Sequence, residues 1–136
     1  MIQTAAEFVQ LRTSDDPADQ ARASHDEASE EVWLDIIHSH PEMRRWVAHN
    51  KTVPDRILTL LARDADPAVR WEVAGKRRAT GDLLRMLALD DDDTVRVRVA
   101  RNPRTGIEEL RALVADRSWV VREAAEFALA SREGDV

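Results

Sequence analysis

The chain has 136 residues, 43% hydrophobic and 34% charged, a balance that suits one folded domain and excludes a disordered chain. It has no cysteine, which excludes disulfides, thiolate zinc sites, cysteine-ligated iron–sulfur clusters and cysteine nucleophiles. The net charge is −6, yet residues 1–40 hold nine acids against two bases and residues 41–128 hold 17 bases against 15 acids, so the acidity argues little against a basic surface in the later part.

The first residues, "MIQTAAEFVQ", show neither a basic n-region nor an apolar h-region, so no signal peptide is expected. No apolar run approaches the roughly 20 residues that span a bilayer. A cytoplasmic protein with no membrane partner is therefore expected. The basic residues are 18 Arg and 2 Lys, a codon-usage flavour that points to a GC-rich bacterium. Residues 1–40 read as an acidic, degenerate capping repeat: Val32 and Leu34 fall one period before Leu58 and Leu60, and Trp33, among Val32, Leu34 and Ile36, reads as core.

From residue 41 the chain repeats with a period of 26. Arg44, Arg70, Arg96 and Arg122 fall on it, as do Met43, Val69, Val95 and Val121, and Val47, Val73, Val99 and Ala125. The second half of each unit repeats Leu58, Leu84 and Leu110, then Leu61, Leu87 and Leu113, then Asp64, Asp90 and Asp116. Two short helices are predicted per unit, about nine or ten in all. The first starts after Asp66-Pro67 or Asp92-Asp93, where Asp caps orphan N–H groups and Pro has none to orphan. The second starts at Pro54, at Thr80-Gly81-Asp82, and at Thr105 with Glu108 as a capping box. "VRVRVA" (95–100) alternates like a strand but shares the register of "VRWEVA", and is predicted helical. A 26-residue helix pair cannot bury its own apolar stripe, so the units are expected to stack.

"DPAVRWEVA", "DTVRVRVARNPRTGIEELRALVAD" and "PEMRRWVAHNKTVPDRILTLLARD" resemble leucine-rich repeat variant units, a helical-repeat family close to HEAT repeats. The match covers about residues 40–128. The expected fold is an all-α, right-handed α-solenoid of about four to five HEAT-like two-helix repeats. It forms a single domain over residues 1–136, with 1–40 as the cap, 41–128 as regular repeats and 129–136 as a tail. Some members of that family carry an iron–sulfur cluster on N-terminal cysteines, which this chain lacks; no cofactor is expected. The central repeat also replaces the family's Asn-Pro with Lys76-Arg77-Arg78.

The pairs Asp64/Arg70, Asp90/Arg96 and Asp116/Arg122 are read as a structural ladder, each carboxylate serving the half-covered guanidinium six residues on. HEAT repeats use a similar ladder. "LDDDDT" (89–94) lacks the ligand spread, central Gly and terminal Glu of a calcium loop, and reads as helix capping. His38, His40 and His49 lack the spacing of a metal site, and no metal is expected. No Gly-rich phosphate loop, nucleophile elbow or carboxylate pair in an apolar setting is present, so an enzyme is not expected. Trp46 and Trp71 fall outside the Val/Ala columns, on the side away from the inferred core, whereas Trp119 opens the last helix and is expected to cover the end of the stack.

Charge divides by connection type. The loops from first to second helix, "HNKTVP" (49–54), "GKRRAT" (75–80) and "RNPRTG" (101–106), hold six bases and no acid. The turns between units, "DADP" (64–67), "DDDD" (90–93) and "DRS" (116–118), hold seven acids and one base. Helix-end complementarity explains the sign at each edge but not three adjacent bases at 76–78. The expected function is a non-catalytic scaffold, monomeric, binding an acidic protein through Lys76, Arg77, Arg78, Arg101, Arg104, Lys51 and Trp71. The alternative is nucleic-acid binding along the same edge; the pI near 5.2 and only two Phe and no Tyr stand against it.

Overall fold

Capping residues set most helix starts in the computed structural model, which describes residues 1–133. The ten α-helices are α1 (Ala5–Thr13), α2 (Pro17–His25), α3 (Glu30–Ser39), α4 (Arg44–His49), α5 (Asp55–Leu61), α6 (Pro67–Ala74), α7 (Gly81–Leu87), α8 (Asp93–Arg101), α9 (Ile107–Leu113) and α10 (Trp119–Glu133). Among the described residues there is no strand, only a parallel bridge between Ile2 and Ala28. Asp66 and Asp92 cap α6 and α8 through the N–H groups of Ala68 and Thr94, and Thr80 caps α7 through that of Leu83. "VRVRVA" lies within α8. The chain divides into two compact units, Met1–Arg63 and the chain from Asp64 onward.

In the first unit α1 packs on α2 and α3, and α3 on α4 and α5. Phe8 meets Trp33 edge to face at 5.7 Å, and both are fully buried with Ile2, Ile36, Val47 and Leu58. Such aromatic pairs add roughly 0.5–1.5 kcal/mol beyond their burial. The buried Asn50 donates through Nδ2 to the carbonyls of Ala23 (2.8 Å) and Asp26 (3.0 Å), fastening the loop after α4 to the end of α2.

In the second unit α6 packs on α8 and α8 on α10, with α7 and α9 as the second helices of their pairs. The 26-residue columns are its core: Val69, Val73, Val95, Val99, Val121 and Ala125 are buried, as are Leu84, Leu87, Leu110 and Leu113. Asn102 repeats the part of Asn50, donating to the carbonyls of Ala74 (2.8 Å) and Lys76 (2.9 Å) in the preceding repeat.

The ladder differs from the sequence expectation. Arg70 donates from Nε to Asp90, not to the carboxylate of Asp64, at 2.8 Å; Arg96 donates to Asp116, not to that of Asp90, at 2.9 Å. Each partner lies 20 residues ahead, on the turn that precedes the next first helix. Six residues back, each arginine takes the backbone carbonyl instead: Asp64 for Arg70, Asp90 for Arg96 and Asp116 for Arg122. The reason lies in the turn. The Oδ1 atoms of Asp64, Asp90 and Asp116 accept from the N–H two residues on, which folds each carboxylate over its own turn and leaves the main-chain oxygen for the arginine that follows. Arg122 has no carboxylate partner among the described residues.

Two local expectations also change. Thr105 and Glu108 do not form a capping box: Gly106 is the N-cap of α9, and the buried Thr105 hydroxyl donates to the Val99 carbonyl at 2.6 Å. Residues 129–133 of the expected tail continue α10; residues 134–136 lie outside the described residues. Arg132 on that extension donates to the carbonyls of Asn102 (3.3 Å), Pro103 (3.0 Å) and Thr105.

Candidate partner-binding site

The loops that follow α6 and α8 bring basic side chains together around an indole. Trp71, on α6, lies under Arg98 from α8, whose Cζ is 3.7 Å from the ring centroid. A guanidinium held flat on an indole gains about 0.5–1 kcal/mol where exposed and about 2 where desolvated. Gly75 makes the stack possible, since a Cβ there would collide with the Arg98 guanidinium. Together with Arg77, Val97, Arg101, Asn102 and Pro103 these residues line an open hollow of about 370 Å³. The floor is fixed by the buried Asn102, and the loop 102–105 is held from outside by Arg132.

The expected site residues fall into three groups. Arg77 and Arg101 are exposed at the hollow with half-buried Trp71, while Arg78 and Arg104 are exposed in the same loops. Lys76, expected in solvent, is half-buried, because its backbone is drawn in by Asn102. Lys51 is exposed in the first unit, its N–H bonded to the Ser24 carbonyl at 2.8 Å. Trp46 is also stacked by an arginine, Arg12 from α1 at 3.5 Å, with His49 edge-on at 5.7 Å. Trp119 opens α10 as expected but is 64% exposed.

Sequence reasoning missed Arg98, Gly75 and Arg132. Arg98 stands 27 residues after Trp71, one period plus one, and so outside every period column. The packing of α6 on α8 is what sets that offset opposite the ring.

The acidic turns and the basic loops are used differently. At the acidic turns Asp90 and Asp116 are taken up by the ladder, Asp66 and Asp92 cap helices, and Asp93 accepts from the Ser118 hydroxyl. Burial alone would raise the Asp116 carboxyl, but Arg96 and the Ser118 N–H outweigh it and hold the group below its ordinary 3.8. Asp92 is likewise held low by the Thr94 hydroxyl and N–H. At the loops, by contrast, the guanidinium groups of Arg77, Arg98, Arg101 and Arg104 meet no carboxylate within ion-pair distance among the described residues.

No family model, curated protein or solved structure matches the chain. No helix among the described residues is long and apolar enough to cross a membrane.

Proposed function

We propose that the chain is a non-catalytic repeat scaffold that binds an acidic protein through its basic loop edge. On this reading it belongs with the leucine-rich repeat variant, HEAT-like helical repeats of right-handed α-solenoid type, and it acts as a cytoplasmic monomer. The observation that carries the proposal is the unequal use of charge. Most acids at the turns satisfy arginines and helix ends inside the fold, whereas Arg77, Arg98 and Arg101 keep unmatched positive charge around a hollow with an aromatic wall, with Arg104 exposed in the same loops. Arginine beside an aromatic ring is a favoured interface contact, because it buries area while presenting directed donors.

The test is affinity capture from nuclease-treated host lysate by the parent and by an Arg77→Glu/Arg101→Glu/Arg104→Glu variant, with bound proteins identified by mass spectrometry. These three side chains are exposed and make no ion pair among the described residues, so the variant should fold as the parent does. The scaffold reading expects a protein retained by the parent and lost by the variant. Equal retention by both, or retention only of nucleic acid when nuclease is omitted, would contradict it.

A further inference from the structure

Resting on that reading, we propose that the hollow beside Trp71 is a carboxylate-reading subsite: one Asp or Glu side chain of an acidic peptide segment enters it and is bound end-on by Arg98. Three features carry this. First, Arg98 is preorganised. Trp71 covers one face of its guanidinium, the absent Cβ of Gly75 lets it lie close to the α6 backbone, and the in-plane N–H donors are left without a hydrogen-bond acceptor among the described residues. Second, the same unit shows what such an arginine does when an acid is near. Arg70 and Arg96 each grip an aspartate through Nε and Nη2, at 2.8 and 3.2 Å and at 2.9 and 3.1 Å. In Arg98 the Nε and Nη2 side lies against Gly75, so the Nη1–Nη2 end is the edge left for an acid, and none is within reach among the described residues. Third, Arg77 and Arg101 rim the hollow, so an entering carboxylate meets only positive charge, and the hollow is large enough for one side chain but not for a folded element.

A planar carboxylate fits the Nη1–Nη2 end because two parallel N–H···O bonds fix its orientation as well as its charge. Trp71 and Val97 offer apolar wall to the methylene groups behind it. A lysine at position 98 would keep the charge but lose the fork and the flat stack.

The experiment is fluorescence anisotropy with a dye-labelled hexaglutamate peptide, with hexaglutamine as the uncharged control. It is applied to the parent, Arg98→Lys, Gly75→Ala and the Arg77→Glu/Arg101→Glu/Arg104→Glu variant. Gly75 has φ of −88°, an ordinary helical value, so alanine is tolerated by the backbone and acts by pushing Arg98 off the ring. Hexaglutamate should bind the parent and hexaglutamine should not, and Arg98→Lys and Gly75→Ala should each weaken binding about tenfold while the helical circular-dichroism spectrum is unchanged. Parent-like binding by both of those variants, with loss only in the charge-reversed one, overturns the subsite and leaves the basic edge standing. Parent-like binding by all the variants, or no binding to the parent, overturns the subsite and counts against the edge as well. Equal competition by an oligothymidylate of matched charge would show general anion attraction and would also overturn the carboxylate assignment.

Discussion

Arg96 reaches forward 20 residues to the carboxylate of Asp116 and back six to the carbonyl of Asp90, and so ties three consecutive segments of the second unit with one side chain. Only 3% of Arg96 is exposed. Removing one partner of a buried ion pair leaves the other desolvated and unmatched, at a cost of about 3–5 kcal/mol. Asp116→Ala should therefore destabilise by about that amount in urea unfolding. Asp91→Ala, at an exposed acid, should leave the curve in place. A double-mutant cycle should give strong coupling between Arg96 and Asp116 and little between Arg96 and the Asp90 carboxylate; the opposite ranking would restore the pairing within one repeat.

Acid should weaken the same rung. Asp116 is held below its ordinary 3.8 in the folded state, so the unfolded chain binds its proton first as pH falls. The stabilisation is complete above 3.8 and is lost as pH drops from there through the lower folded value. Asp116→Asn should be less stable than the parent at neutral pH and should approach it below pH 3.8. A gap that stays constant with pH would show that the carboxylate charge is not what matters.

Leu87 is 1% exposed and Leu89, two residues on, is 83% exposed. Leu87→Ala should cost about 2–5 kcal/mol through lost burial and the cavity left behind. Leu89→Ala should leave the thermal melt unchanged. Similar melting temperatures for the two variants would mean that the register of α7 is wrong.

Asn102 offers a sharper probe of the loop. Its Nδ2 group feeds two carbonyls of the preceding repeat, and Asn102→Ala leaves them without that donor, at about 1–3 kcal/mol. Asn102→Asp should be worse at neutral pH, since it turns a carboxylate toward two carbonyl oxygens. If the aspartate variant is the more stable of the two, the loop is not held by this donation.

The period of 26 made the helices and the core legible, because burial repeats wherever the backbone does: Leu61, Leu87 and Leu113 are all at most 4% exposed. Residue types at turns made the ladder's members legible, but not their pairing. Sequence distance favours the aspartate six residues back, and only the packing of α6 on α8 and of α8 on α10 brings the one 20 residues ahead closer. The same limit hid Arg98. Its contact with Trp71 runs between neighbouring helices and one position off the period, so no column points to it. The basic loops were visible as charge, yet Lys76 and Arg77, alike in the sequence, differ in exposure, because Asn102 draws the Lys76 backbone inward.

The most direct test of the central claim, an acidic protein bound at the loop edge, is titration of the captured partner against parent and Arg77→Glu/Arg101→Glu/Arg104→Glu at rising salt. The account predicts that the variant melts with the parent but loses binding, and that the parent's affinity falls with salt and then levels off. Parent-like binding by the variant would contradict it. So would a log affinity that falls linearly and steeply with log salt, the mark of several phosphate contacts.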